Sequence, residues 1–391
     1  MSISKKSQKL NRYQLSGAQK KNGLNTWRYV FNGFENVTGV ERKFFIEFSM
    51  LNPYLSPSEA VLGFKNRAVV SAEDLQNVLA GSIAAKKFQS ESYVVPSYVV
   101  VRAGVLGVGA KQFCLYSAAK NVKLNSKQFE ISVENCVFSE DKLSGHIDIA
   151  PMDLQEHPEY LCDSGIMSWE LRYEIRRDFH SGYNGNGFCW FPVGSRTVLA
   201  GNVTLDGKVY TVIPKKSAGY FDRRFGKDVP FPWLHISSSN LTSIISGKTL
   251  LESSFAVQGI FDDRVSVLLD FEGSTVAFTA DKGRRSFETH WDFTQAPASD
   301  GADKLHWTVS VHNKKFVIDV DVFCPAPLMF VRNFELPCGG RKTIKMLCGS
   351  AGSGEIRLYK RIRRNLELIE HAQISGALCE FGQLESPDDE E

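Results

Sequence analysis

The sequence predicts an all-β protein built as two barrel-like or sandwich-like halves, with one short helical insertion. Three observations predict it. Between residues 251 and 359, runs of strand character recur about every ten residues, divided by turn residues such as Glu272-Gly273, Asn313-Lys314 and Gly339-Gly340, the rhythm of sandwiches and up-and-down barrels. Two further strand-like runs, 197–205 and 208–213, meet at Asp206-Gly207, a strong hairpin signal because a type I′ turn needs positive φ at both central residues. Helical patterning is confined to a window near residues 71 to 81, where Ser71-Ala72-Glu73-Asp74 opens a pattern of Leu75, Val78 and Leu79.

In chain order, residues 1 to 25 form a basic arm with Lys5, Lys6, Lys9, Arg12, Lys20 and Lys21 and no acid before Glu35. A solvated terminus is expected, with contact to an anionic membrane surface left open. Strands begin at Trp27-Arg28-Tyr29-Val30-Phe31, which ends at Asn32-Gly33 and is answered by 41–48. Gly104, Gly107 and Gly109 lie between strand runs with no following helix, so they read as strand and turn glycines and not as a phosphate loop. Residues 168 to 174 alternate: Trp169, Leu171 and Tyr173 take one face, Glu170, Arg172 and Glu174 the other. The first β domain spans 26–246 and the second 247–391, which closes on the acidic tail Asp388-Asp389-Glu390-Glu391.

Composition excludes several functions. A net charge of +2 argues against a dedicated nucleic-acid binder. The longest apolar runs fall short of a transmembrane helix, and the N-terminus has no apolar signal region. The eight cysteines are scattered singly with no CxxC pair, which predicts free thiols in a reducing cytoplasm and no zinc site. No G-x-S-x-G elbow occurs. No metal and no cofactor is expected.

Candidate chemistry concentrates in one stretch after the hairpin. Gly219-Tyr220-Phe221-Asp222, Arg223-Arg224-Phe225-Gly226, Phe231-Pro232-Trp233-Leu234-His235 and Asn240 pack aromatics, acids, bases and amides more densely than any other part of the chain. Such residues are expensive to bury and wasteful to expose, so they read as the wall of a site. The stretch resembles the signature of the tocopherol cyclase-like family: a Tyr, an acidic residue, an Asn-Trp-Gly, a Phe-Pro, a Trp-x-Trp and a nearby Gln or Asn. Phe225 stands where that family often has Trp, Arg224 where it has Asn, and His235 where a second Trp is common.

The resemblance implies lipocalin-like halves and an apolar, prenylated or polycyclic small molecule or lipid as partner, bound and either cyclised, hydrated or simply carried. A cyclase of this kind needs an apolar pocket, a carboxyl whose pKa is raised by burial and aromatic faces for a carbocation. On the family's pattern Asp222 is the acid, beside Tyr220, with a salt bridge to Arg223, Arg224 or Arg264 as the alternative. Glu174 is the second carboxyl. Trp190, Phe225 and Trp233 supply π-faces, His235 or Asn240 orients the substrate's oxygen, and Trp27 and Tyr29 match the family's opening aromatic positions.

Overall fold

The computed structural model describes residues 9–63, 94–125, 129–185, 187–227, 229, 231–260, 264–280, 287–296, 303–339 and 343–385. The helical window expected at residues 71 to 81 lies outside them. The described chain is all-β, in two antiparallel sheets that each curve around a core of their own, the half-barrel architecture of lipocalin-like folds. The first sheet has thirteen strands and the second eleven. Helices are short pieces such as Pro151–Glu156.

The strand Leu24–Glu35 explains the layout. It pairs with Glu41–Leu51 on one side and Gly219–Gly226 on the other. Side chains of a strand alternate between faces. Trp27, Tyr29 and Phe31 therefore enter the first half's own core, with Phe44, Ile46 and Phe48 from the next strand. Thr26, Arg28, Val30 and Asn32 face the other way, and Val30 packs against Tyr220, Trp233, Met346 and Leu378 in a cluster that joins the halves. The second half repeats the logic. Leu234 and Ile236 of Trp233–Ser238 enter its own core, whereas Trp233 turns toward the first half. Each sheet has an inner face on its own core, and part of its outer face lies on the seam.

The Asp206-Gly207 hairpin forms as predicted, joining Phe188–Leu205 to Lys208–Val212. Asp206 and Gly207 have φ of 47° and 80°, the double positive φ that the turn requires. The basic cluster at 360–364 is the tip of the longest hairpin, Thr343–Ile362 with Asn365–Glu385. The change of sheet falls between Gly226 and Trp233, before the expected division at residue 247. Trp233–Ser238 pairs with Ser254–Ile260 and Asn365–Glu385, both in the second sheet.

The arm expected over residues 1 to 25 is, from residue 9 onward, part of the first half. Asn11 and Leu15 are buried. The Trp27 indole N–H donates to the Asn11 carbonyl at 2.8 Å. The Arg223 guanidinium lies 3.6 Å from the Trp27 ring centroid and donates to the carbonyls of Leu10, Arg12 and Thr26. A buried cation with no ion pair among the described residues is thus solvated by carbonyls and an indole face, and this closes the end of the barrel.

Candidate functional site

The seam carries two polar rows that face each other. In the first sheet the register sets Asp222, Arg28, Glu47 and Arg102 side by side across four neighbouring strands. Their charges alternate, which is the favourable arrangement for directly opposed cross-strand pairs. In the second sheet Cys348, Glu380, His235 and Gln258 form a matching row. Arg28 bridges the rows: Nη2 donates to Asp222 Oδ2 at 2.6 Å and Nη1 donates to Glu380 Oε1. Arg224, from the same strand as Asp222, donates to Glu380 Oε2 at 3.2 Å. The Trp190 indole N–H donates to Asp222 Oδ2 at 3.0 Å, and its ring lies 4.1 Å from the Arg224 guanidinium carbon.

Asp222, Glu380 and His235 have no exposed surface at all. Burial pushes the Asp222 carboxyl up, but Arg28 and Arg224 outweigh it and hold the group below the usual carboxylate range. Burial likewise works against Glu380, and Arg28, the His235 hydrogen bond and Arg224 hold it well below that range. At Glu47 the opposing guanidiniums belong chiefly to Arg332 and Arg102. Burial lowers the His235 pKa, only partly offset by Glu380. An ionised Glu380 only accepts, so the His235 Nδ1–H is assigned as donor to Glu380 Oε2 at 2.9 Å, and Nε2 is left bare.

These four shifts have one sign. Each folded pKa lies below its unfolded value, so each contribution is complete above the unfolded pKa and is lost as pH falls through the folded one. We expect the urea midpoint to fall steadily from about pH 6.5, where an unfolded His titrates, through about pH 4, the carboxyl range. Glu380→Gln flattens the slope below about pH 5. A midpoint that holds constant or rises down to pH 4 contradicts the assignment.

The row opens at one end into a cleft of about 70 Å³. Its walls are Tyr98, Phe188, Trp190, Trp233 and Phe334, and Glu47, Arg102 and Arg224 reach it from the polar rows. Gly382 stands opposite Trp233 in the register, and a Cβ there would come within 2.5 Å of the indole. Glycine is what lets the ring lie flat on the sheet at the cleft wall. Two buried donors here have no partner, Arg224 Nε and Trp233 Nε1.

Sequence-predicted residues divide sharply. Tyr220, Asp222, His235, Trp190 and Trp233 come together at the seam. The rings of Tyr220 and Trp190 lie 5.2 and 5.0 Å from that of His235. Asp222 is not a carboxyl kept protonated by burial; an ion pair with Arg28 at 2.6 Å, which was not expected, and one with Arg224 at 3.6 Å, which was, keep it ionised. Asn240 is exposed and lines a separate cavity at the other end of the seam. Phe225, on the opposite face to Arg224, packs on Phe191 with ring centroids 6.0 Å apart. Trp27 and Tyr29 are first-half core, Tyr29 stacking on Phe221 at 4.2 Å and donating to Tyr173 Oη at 3.1 Å. Glu174 is exposed beside Arg176 at 3.0 Å, because its strand buries Trp169, Leu171 and Tyr173 instead. Arg28, Glu47, Arg102, Arg332 and Glu380 were not among the candidates. All eight cysteines are free thiols, five of them buried. Among the described residues no cluster of His, Cys, Asp and Glu has the makings of a metal centre, and no helix is long and apolar enough to cross a membrane.

No family model matches the chain, and no curated protein matches it. Solved structures it is similar to include a protein provisionally called AttH from Nitrosomonas europaea, at 11% identity, 90% of this chain and 92% of that one, and a TM-score of 0.39. Kievitone hydratase from Nectria haematococca aligns at 12% identity over 94% of this chain and 92% of that one, with a TM-score of 0.41. Likenesses of this depth carry nothing into the chemistry of the site.

Proposed function

We propose that the seam cleft binds one end of an apolar, ring-containing molecule through an acceptor oxygen, as a lipocalin-type binding module. The observation that carries this reading is the pair of unpartnered donors, Arg224 Nε and Trp233 Nε1, in a cleft with aromatic walls. Buried donors without partners cost about 1–3 kcal/mol each, and a ligand hydroxyl, carbonyl or carboxylate oxygen removes that cost. The cleft is well below the roughly 300–1,000 Å³ of a pocket that engulfs a drug-sized ligand. A prenylated or polycyclic molecule therefore enters by its oxygenated end, with its remainder in the mouth. Proton delivery from Asp222 forms no part of the proposal, because Arg28 holds that carboxylate ionised.

Tryptophan fluorescence titration with naphthalene, 1-naphthol and 1-naphthoate tests it. The oxygenated probes should bind about tenfold or more tighter than naphthalene, the worth of one hydrogen bond to a charged donor. Arg224→Met together with Trp233→Phe keeps stem and ring but removes both donors, and should erase the difference. Equal binding of all three probes by the wild type, or binding of none, overturns the proposal.

A further inference from the structure

A second cavity, of about 320 Å³, lies at the other end of the seam. The alternation of Leu24–Glu35 connects the two. Thr26 reaches the aromatic cleft, Arg28 the ion network and Asn32, on the same face, the second cavity. Its chemistry is the reverse of the cleft's. Arg196, Lys215 and Lys216 line it, against one carboxylate, Glu41. Glu41 already accepts from Asn32 Nδ2. Among the described residues Arg196 Nη1 donates only to carbonyls, Ser239 O at 2.8 Å and Ser253 O at 3.4 Å. Outside the lining, Glu252 and Glu272 also act on Arg196; Glu252 pairs with Arg177 at 3.2 Å and Glu272 accepts from Ser253 Oγ at 3.1 Å. Three cations against one carboxylate give the lining itself excess positive charge.

Two polar side chains of this wall are more than nine-tenths buried and hold an atom with no partner: Asn32 Oδ1, in a residue 5% exposed, and Ser239 Oγ, in one 8% exposed. Native structures leave few such atoms unsatisfied. Asn32 Oδ1 only accepts, because its Nδ2 is fixed by Glu41, so its missing partner is a donor. A hydroxyl meets that need and also meets Ser239. An anionic group meets the cations, whose long stems let Lys215 and Lys216 close on it. Walls come from both halves: Asn32, Arg196, Lys215 and Lys216 from the first, Ser239 from the segment that follows Trp233–Ser238 of the second.

We propose that this cavity is a second binding site, for a small hydroxylated anion of the sugar phosphate class, held across the seam between the two halves. Its occupancy is independent of the aromatic cleft, so failure of one does not decide the other.

The test is calorimetric titration and thermal melting of the full chain with glucose 6-phosphate, inorganic phosphate and glucose. Glucose 6-phosphate should bind and raise the melting temperature, inorganic phosphate should bind at least about tenfold more weakly, and glucose should give no shift. Lys215 and Lys216 are exposed, so Lys215→Ala with Lys216→Ala leaves folding intact and should weaken glucose 6-phosphate about tenfold or more. Ser239→Ala should weaken glucose 6-phosphate and leave inorganic phosphate unchanged. The proposal is overturned if glucose 6-phosphate gives neither heat nor melting shift at about 10 mM. It is overturned equally if phosphate binds as tightly, or if the double lysine variant binds like the wild type.

Discussion

Replacing Arg28 by methionine should cost the folded state about 3–5 kcal/mol, the usual penalty for removing one member of a buried ion cluster. The guanidinium is 1% exposed and bonds Asp222 from its own sheet and Glu380 from the other. Without it, Arg224 alone faces two buried carboxylates, at 3.6 Å from Asp222 and 3.2 Å from Glu380. Urea denaturation at pH 7 measures the loss. A second variant separates charge from packing: Arg28→Met with Asp222→Asn and Glu380→Gln removes the orphaned charges and should recover much of the stability, because buried ion clusters replaced as a unit are often near neutral. An Arg28→Met protein within about 1 kcal/mol of wild type, typical of an exposed pair, would show that Arg28 does not hold the seam.

Trp190→Ala should destabilise by about 3–5 kcal/mol, as truncation of a buried large aromatic does, and should abolish binding of 1-naphthol in the cleft. Trp190 sits at the junction of network and cleft. Its N–H holds Asp222, its face covers Arg224, and it forms part of the cleft wall. Trp190→Phe keeps most of the volume but loses the donor to an ionised carboxylate, so about 1.5–3 kcal/mol is expected. The naphthol affinity of that variant should stay near wild type, because the wall remains. Loss of binding in Trp190→Phe, with stability unchanged, would contradict this division of roles.

Much of the architecture was legible because strands and turns announce themselves locally. The Asp206-Gly207 turn and the short strands from residue 254 to 335 depend on neighbours in sequence and formed, but beyond residue 343 the short-strand rhythm gives way to two long strands, Thr343–Ile362 and Asn365–Glu385. The seam was half legible. Residues 219 to 235 showed Tyr220, Asp222, Trp233 and His235 as a group too polar and too aromatic to be ordinary core. Their partners were hidden by distance along the chain, since Arg28 lies 194 residues from Asp222 and 352 from Glu380. Antiparallel register sets Arg28 beside Asp222, and only the packing of the two sheets brings Glu380 against them.

A usable signal was nevertheless present: one charge set inside a short run of otherwise apolar residues. Arg28 in Trp27-Arg28-Tyr29-Val30, Glu47 in Phe45-Ile46-Glu47-Phe48 and Glu380 in Leu378-Cys379-Glu380-Phe381 show it. A strand with a core on one face and water on the other alternates apolar with polar. A run apolar on both faces with a single charge points to a second buried surface and a partner charge across it. The same reasoning excludes Glu174, whose strand alternates cleanly and carries its charges outward.

The central claim, that the seam cleft holds the oxygenated end of an apolar molecule, is tested most directly by native mass spectrometry of the purified chain after incubation with a lipid extract. Wild type should retain an adduct whose extracted molecule is apolar and carries at least one oxygen, and Arg224→Met with Trp233→Phe should retain none. A wild type that emerges without any adduct, or a double variant that keeps the same adduct at the same occupancy, would contradict it.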